Sequence, residues 1–187
     1  MKSFIGLVVL TLGVAFGVSA QDMGMSDGNP MVGGAAMYKA KNIVENAVNS
    51  KDHTTLVTAV KAAGLVDTLA SAGPFTVFAP VNSAFDKLPA GTVETLLKPE
   101  NKATLSKILT YHVIAGNFSS GDVVAAIKKG KGKAEFTTVA GGKIWASVVG
   151  KSVVLMDEKG GKSTVTIADV KQSNGVIHVV DSVLLPN

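Results

Sequence analysis

The 187-residue chain contains no cysteine and no arginine, and all 18 of its basic residues are lysines. Without cysteine, the protein is expected to be free of disulfides, so its stability outside the cytoplasm must come from packing alone. Without arginine, it lacks the planar fork that binds phosphates and base edges, which argues against nucleic-acid recognition. After the N-terminal segment, no apolar stretch approaches the about 20 residues that a membrane-spanning helix needs, so stable membrane insertion is not expected.

The N-terminal segment has the features of an export signal. A positive start at Lys2 precedes an apolar run from Phe4 to Val18, and the small residues Val18 and Ala20 satisfy the cleavage requirement. These features predict a Sec-type signal peptide over residues 1–20, with a mature chain that starts at Gln21. The protein is therefore expected to be exported, and to be periplasmic or extracellular.

The next segment, residues 21–37, is rich in glycine and methionine and shows no hydrophobic period. Such a composition indicates a mobile arm or a strap that lies on the domain, and we predict a flexible N-terminal arm. Residues 38–187 are then expected to form a single domain, since no internal repeat interrupts them. A chain of roughly 150 residues can bury about 70% of the surface that it exposes when unfolded, which is enough for a core.

Hydrophobic periodicity divides this domain into a helical first half and a stranded second half. Apolar side chains recur at helical spacing from Ile43 to Ile127, with Phe75–Ala79 and His112–Ala115 as short strands within that part. The period then becomes two, and glycine-containing turns separate predicted strands at 135–139, 143–149, 152–156, 164–170 and 176–184. Helices first and antiparallel strands second predict the α+β class, with one strand from each half expected to complete the sheets.

Several side chains have predicted structural roles. Asn82 follows a strand and is placed to cap the short helix that it begins. His53 lies beside a helix start and is expected to be solvated. One core is expected to contain the inner positions Phe75, Val77, Ile108, Leu109, Ile177 and Val179.

Catalytic and metal-binding motifs occur only in unsuitable contexts. Residues 24–28 fit the G-x-S-x-G pattern of hydrolases, but they lie in the glycine-rich segment and not on a turn between a strand and a helix. The histidines His53, His112 and His178 could hold zinc, yet none has an imidazole or carboxylate neighbour at ligand spacing. We therefore expect backbone carbonyls to satisfy His112 and His178, and we predict no catalytic residue, metal or cofactor.

Three sequence blocks carry a resemblance to a known family. They are TVFAP at 76–80 with Asn82 and Phe85, YHV at 111–113, and NGVIHVVD at 174–181 with LLP at 184–186. In this order, the blocks resemble the signature of the fasciclin domain family, over about residues 41–187. Val81 stands where the family more usually has threonine. The likeness is greatest to small secreted single-domain bacterial members, similar to the mycobacterial secreted antigens of the family.

The resemblance implies both a fold and a role. The implied fold is a fasciclin-like wedge of two β-sheets, packed as a β-sandwich, with several helices on one side. The implied role is adhesion to cells or matrix, and in animal members the Tyr-His segment has been associated with integrin binding. By that resemblance, the candidate partner-binding residues are Tyr111 and His112 with their apolar neighbours Leu109, Val113 and Ile114. The same residues can instead be required for packing.

The leading hypothesis is a secreted, non-catalytic adhesion or interaction module that binds a protein or polysaccharide at the cell envelope or matrix. The alternative is an extracytoplasmic binder of a small apolar ligand, which requires a large preformed pocket between helices and sheet. The lysine cluster at 128–133 is interpreted as a solvated loop, although it could also contact an acidic polysaccharide or anionic lipid.

Overall fold

The computed structural model describes residues 28–187, so the predicted signal peptide and most of the G-x-S-x-G motif lie outside the described residues. The helices are α1 (Ile43–Ala47), α2 (Thr54–Ala63), α3 (Val66–Ala70), α4 (Asn82–Asp86), α5 (Thr92–Leu96), α6 (Lys102–Tyr111) and α7 (Ser120–Lys129). The strands are β1 (Met31–Val32), β2 (Ala35–Ala36), β3 (Phe75–Pro80), β4 (Val113–Ala115), β5 (Ala134–Thr137), β6 (Lys143–Val149), β7 (Ser152–Met156), β8 (Lys162–Gln172) and β9 (Gly175–Val180). Helices thus dominate the first half and strands the second.

Local sequence signals set several helix ends. The Asn42 side chain accepts a hydrogen bond from the Glu45 N–H while Glu45 bonds back to the Asn42 N–H, which begins α1 with a capping box. Ser119 and Asp122 form the same arrangement at the start of α7. Helix α2 ends at Gly64, whose φ of 71° lies in the left-handed region that glycine adopts without strain.

The Asn82 side chain caps a helix, but not the helix that it begins. Helix α4 has no side-chain cap. Asn82 Oδ1 instead accepts a hydrogen bond from the Thr55 N–H at 3.0 Å, and Asn82 Nδ2 donates to the Lys51 carbonyl at 2.8 Å. The predicted local cap is therefore wrong. Because α4 packs against α2, the amide reaches across to the unpaired N–H groups at the start of α2.

Among the described strands, seven form one hydrogen-bonded sheet in the order β4-β3-β9-β8-β7-β6-β5, and β1 pairs separately with β2. Strand β3 runs parallel to β9, and the other neighbours are antiparallel. Two strands of the helical half, β3 and β4, thus belong to the sheet, where the sequence predicted one. The 11-residue β8 pairs with β7 at its start and with β9 beyond, where bulges shift the register. Bulges bend strands, so the bent β8 connects the β4-β3-β9 part of the sheet to the β7-β6-β5 part.

Strands β3 and β9 lie between two apolar layers. Val77 and Val179 contact one layer, whereas Phe78 and Val180 contact the other, because successive side chains of a strand alternate in direction. The first layer, the helical cluster, is formed with helices α1, α2, α3, α4 and α6. The second layer, the α7 cluster, is formed with α7 and strands β5, β6 and β7.

The predicted core residues lie mostly in the helical cluster. Val77, Leu109, Ile177 and Val179 are buried there, and the partly buried Phe75 packs against them. Ile108 is buried but belongs to neither cluster, so the prediction of a single core was wrong for this residue. The interior is divided because the central strands are covered on both faces.

Residues 31–37 form a strap on the domain. Strands β1 and β2 make a short hairpin, and both Val32 of β1 and Met37, which follows β2, are buried in the helical cluster. The strap also covers His53, which is only 3% exposed instead of solvated as expected. The packed domain therefore begins before residue 38, which corrects the predicted boundary; residues 21–27 lie outside the described residues.

Among the helices formed by residues 28–187, none has the length and hydrophobicity that crossing a bilayer requires. The longest have 10 residues, and each presents polar side chains along part of its surface. A bilayer-spanning helix needs about 20 predominantly apolar residues.

Candidate functional site

The Tyr111 side chain is enclosed at the end of α6. Its hydroxyl donates to the Lys143 carbonyl at 2.5 Å and accepts from the Glu158 N–H at 3.2 Å. A Cβ atom at Gly142 would lie 2.6 Å from the Tyr111 ring, so the ring packs directly on the glycine backbone. Burial raises the pKa of Tyr111 to about 12, which keeps the hydroxyl protonated at neutral pH. The residue thus ties α6 to β6 and to the turn after β7.

The His112 ring joins α6 to the C-terminal segment. Its Nδ1 lies 2.8 Å from the Ile108 carbonyl and its Nε2 lies 2.9 Å from the Leu184 backbone nitrogen. Because a carbonyl only accepts and an N–H only donates, Nδ1 carries the proton and Nε2 accepts. Burial lowers the pKa of His112 to about 4, so the ring is neutral at physiological pH.

The five residues that the resemblance implies as partner-binding are brought together, but inside the domain. Leu109 and Val113 are buried in the helical cluster, and Tyr111 and Ile114 are buried in the α7 cluster. His112 is 3% exposed. In the folded domain, these side chains serve packing and internal hydrogen bonding.

The histidines occupy separate buried positions. His178 Nε2 donates to the Phe118 carbonyl at 2.8 Å, and its Nδ1 accepts from the Asp169 N–H at 3.3 Å. A backbone carbonyl therefore satisfies one ring nitrogen of both His112 and His178, as predicted. In the part of the chain that the structure describes, no group of three or more histidine and carboxylate side chains is arranged to hold a metal ion.

The volumes of two spaces between helices and sheet bear on the small-ligand alternative. The apolar space among α1, α2, α3 and the sheet holds only about 50 Å³, far below the roughly 300–1,000 Å³ of ligand pockets. An open cleft between α7 and strands β7 and β8 is larger, at about 380 Å³. Phe78, Val123, Val153 and Val165 line this cleft, and Lys151 lies at its edge.

The sheet carries a partly exposed aromatic residue, Trp145, on the face of β6, β7 and β8 that points away from the α7 cluster. The inward side chains Ile144, Ala146 and Leu155 are fully buried. Their alternate neighbours point outward and line an open trough of about 470 Å³. We call this surface the outer sheet face, and its residues are Trp145, Ser147, Val154, Met156, Lys162 and Thr164, with Lys133 at its edge.

Trp145 is held in place on the outer sheet face by charged neighbours. Its indole Nε1 donates to Glu135 at 3.1 Å, and the Lys133 ammonium lies 4.7 Å from the indole ring centroid, within cation–π range. Glu135 also pairs with Lys143 at 2.8 Å. This hydrogen-bonded pair lowers the pKa of the Glu135 carboxyl and raises that of the Lys143 ammonium. The partly exposed tryptophan is therefore ordered before any partner arrives.

Trp145 was not among the candidate site residues predicted from the sequence. One signal was present, since Trp145 is the only tryptophan and lies in a strand of period two. That period places Trp145 and Ser147 on the face opposite to Ile144 and Ala146, but it does not tell which face is covered. Only the packing of α7 against β5 and β6 leaves the Trp145 side open.

Comparison with known proteins gives the family. The fasciclin domain profile matches residues 51–186. Protein sll1483 of Synechocystis sp. is 44% identical over 191 residues, covering 100% of this chain and 99% of that protein. The cell surface glycolipoprotein MPB83 of Mycobacterium bovis is 35% identical over 164 residues, covering 84% of this chain and 67% of that protein.

A solved structure gives the fold. It is that of a FAS1 domain pair from the insect cell adhesion molecule fasciclin I, with a TM-score of 0.68 at 20% identity. The match covers 78% of this chain and 51% of that chain. The predicted α+β fold, fasciclin-like with helices packed on the sheet, is therefore confirmed. With a family profile over most of its length and a bacterial relative that matches it along its whole length, this chain belongs to the fasciclin domain family.

Proposed function

We propose that this protein is an exported, non-catalytic interaction module that binds a protein or polysaccharide partner at the cell envelope or matrix. The observation that carries the proposal is the outer sheet face, where an ordered and accessible Trp145 lies on a rigid sheet. Aromatic side chains of this kind are enriched among residues that dominate binding energy. The family supports the proposal, since the fasciclin I structure is that of a cell adhesion molecule.

The buried polar side chains favour binding over catalysis. Tyr111, His112 and His178 use their polar atoms in bonds to the backbone. A general base or nucleophile must instead be able to reach a substrate. In this proposal, the Tyr-His segment contributes to partner binding only by maintaining the fold, and the contact itself is made at the outer sheet face.

A binding comparison between two aromatic residues tests the proposal. The mature protein is immobilised and exposed to envelope extract and to cell-surface polymers, and retained material is quantified for wild type and Trp145→Ala. We expect the substitution to cost at least about 2 kcal/mol of binding, as at interface hot spots, with little change in Tm. Undiminished capture by folded Trp145→Ala would contradict the proposal.

The matched control is Tyr38→Ala. Tyr38 is 46% exposed and also has a lysine over its ring, with Lys41 Nζ at 5.0 Å from the centroid. It lies before α1 and not on the outer sheet face. Equal losses of capture in both variants would indicate nonspecific adhesion through any exposed aromatic residue.

A second candidate function is binding of a small apolar ligand in the cleft beside α7. Its volume of about 380 Å³ falls within the range of ligand pockets, unlike the space between α1, α2, α3 and the sheet. Titration with a fluorescent fatty acid tests this candidate. Val124 of α7 also lines the cleft. Saturable binding that Val124→Lys abolishes, and that Trp145→Ala leaves intact, would favour this candidate over the interaction module.

A further inference from the structure

We infer that the outer sheet face binds an acidic polysaccharide, an inference that rests on the proposed function and specifies its partner. The trough is open and runs across β6, β7 and β8. From Lys133 before β5 to Lys162 on β8, it spans three strand spacings, or about 14 Å. An extended polymer fits a surface of this length better than a single small molecule, which needs a concave pocket that buries most of its surface.

The floor of the trough suits the apolar faces of sugar rings. Cross-strand pairing places Trp145 beside Met156 and Ser147 beside Val154, and Thr164 lies beside Val154 on the other side. The indole plane and the aliphatic side chains offer flat apolar surface to the C–H face of a sugar. The hydroxyls of Ser147 and Thr164 can each donate and accept hydrogen bonds, as sugar hydroxyls require.

The charges of the trough require an acidic polymer. Lys133 and Lys162 are exposed at opposite ends, and within residues 28–187 the ion pairs are Lys87–Asp181 and Lys143–Glu135, so neither end lysine is paired. Glu135 is the acidic neighbour of Trp145, and Lys143 neutralises it. The exposed residues Lys128, Lys129 and Lys131 lead into the same edge. The Lys162 ammonium, and the Lys133 ammonium that lies 4.7 Å from the Trp145 ring centroid, flank the aromatic floor and match carboxylates that repeat along a chain.

The type of cation favours a polysaccharide over a nucleic acid. Every basic residue of the chain is lysine, so paired hydrogen bonds to phosphates or to guanine are not available. Lysine acts as a strongly hydrated point charge, which suits carboxylates that are spaced along a hydrated polymer. Interfacial lipid binding typically uses the apolar face of an amphipathic helix, whereas the apolar side chains of this trough lie on a β-sheet beside the hydroxyls of Ser147 and Thr164.

The single tryptophan provides a direct test. Because Trp145 is the only tryptophan in the chain, intrinsic fluorescence reports on the outer sheet face alone. The mature protein is titrated with sodium polygalacturonate at low salt, with neutral dextran in parallel. We expect a saturable change in Trp145 emission with polygalacturonate that is lost at high salt, since exposed charges are screened. No emission change, or an equal change with dextran, would overturn the inference.

Lysine variants show whether the trough itself recognises the charge. Lys133→Gln with Lys162→Gln should weaken polygalacturonate binding at least tenfold without changing Tm. Lys39→Gln with Lys41→Gln removes two exposed lysines, one of them over the Tyr38 ring, and should leave binding unchanged. Equal weakening in both variants would mean that only net charge matters, which contradicts a built site. Tighter binding to anionic phospholipid vesicles or to single-stranded DNA than to polygalacturonate would overturn the choice of partner.

The two proposals can fail separately. If Trp145→Ala loses envelope capture and wild type ignores polygalacturonate, the acidic polysaccharide is wrong and the interaction module stands. If folded Trp145→Ala still captures its partner, the module does not use the outer sheet face. Polygalacturonate binding that persists in Trp145→Ala, measured by co-sedimentation, would also contradict the inference.

Discussion

At the residue scale, Tyr111 and His112 connect parts of the chain that are distant in sequence. The Tyr111 hydroxyl bonds the backbone at Lys143 and Glu158, and the His112 ring bonds the backbone at Leu184. Each of these hydrogen bonds is buried or partly buried, so the loss of the side-chain atom leaves a backbone group unsatisfied. This explains why a polar atom, and not only an aromatic ring, is needed at both positions.

Tyr111→Phe should lower the free energy of unfolding by about 1–3 kcal/mol, because it leaves the Lys143 carbonyl and the Glu158 N–H without a partner. Urea unfolding measures the change, and partner binding by the folded variant should equal that of wild type. Tyr38→Phe alters an exposed residue and should change stability by less than about 0.5 kcal/mol. If Tyr111→Phe instead has wild-type stability and no partner binding, the segment is adhesive.

Stability should fall in mild acid because of His112. The folded-state pKa of about 4 lies below the unfolded value of about 6.5, so the unfolded chain takes up the proton first as pH falls. This stability is present above about pH 6.5 and is lost towards pH 4, with a loss of about 2 kcal/mol between pH 7.5 and pH 5. The lowered pKa values of His53 and His178 act in the same direction.

The pH prediction is checked by urea unfolding of wild type and His112→Gln at pH 7.5 and pH 5. The glutamine variant is less stable at pH 7.5, but it lacks the titrating ring, so its stability should depend less on pH. An unchanged pH dependence in His112→Gln would show that other groups cause the acid sensitivity.

At the element scale, side chains of one element supply hydrogen bonds that the helix ends of another element lack. Helix α2 has no capping side chain of its own, and Asn82 of α4 supplies the cap. Asn174 acts similarly, since its Oδ1 accepts from the Ile43 N–H at the start of α1 and its Nδ2 donates to the Leu69 carbonyl of α3. Gly175 is required next to it, because a Cβ there would lie 2.0 Å from the Phe75 carbonyl oxygen.

Asn82→Ala should destabilise the protein by about 0.5–2 kcal/mol, the usual cost of removing a helix cap, although the helix affected is α2. Thermal unfolding measures the loss, and amide exchange should increase at Thr55. Ser83→Ala, at the exposed next position of α4, is the control and should be neutral. Faster exchange confined to α4 would contradict the assignment of the cap to α2.

The helical cluster should be sensitive to truncation. Val77 on β3 and Leu109 on α6 are both buried where the helices meet the sheet. We expect Leu109→Ala to cost about 2–5 kcal/mol and Val77→Ala to cost towards the lower end of that range, from lost burial and the remaining cavity. Chemical denaturation tests both, and losses below about 0.5 kcal/mol, typical of surface changes, would place the core elsewhere.

At the scale of the whole molecule, we propose that stability and partner binding depend on different parts of the domain. The segments that carry the family resemblance build the interior, while the outer sheet face carries the proposed contact. Substitutions inside should therefore lower stability and leave the binding of folded protein intact. Substitutions at Trp145 should do the reverse.

A prediction about export also belongs to the scale of the whole chain. The charged start, apolar run and small residues before Gln21 predict that the mature protein begins at Gln21. N-terminal sequencing of protein from the extracytoplasmic fraction tests this prediction. Recovery of soluble cytoplasmic protein that retains Met1 would show that the segment does not direct export.

The sequence by itself determined the features that depend on neighbours along the chain. The helical spacing between Ile43 and Ile127 and the strand period at 143–149 and 152–156 were predicted because they involve side chains a few positions apart. The α+β class and the family blocks followed from the order of such signals.

Only the tertiary structure decided which surfaces are covered. Periodicity states that Trp145 and Ile144 point in opposite directions, but the packing of α7 determines that Ile144 is buried and that Trp145 is accessible. The strap likewise buries His53, and α4 brings Asn82 to α2. Burial depends on contacts between segments far apart in sequence, and local patterns of hydrophobicity do not record which segments meet.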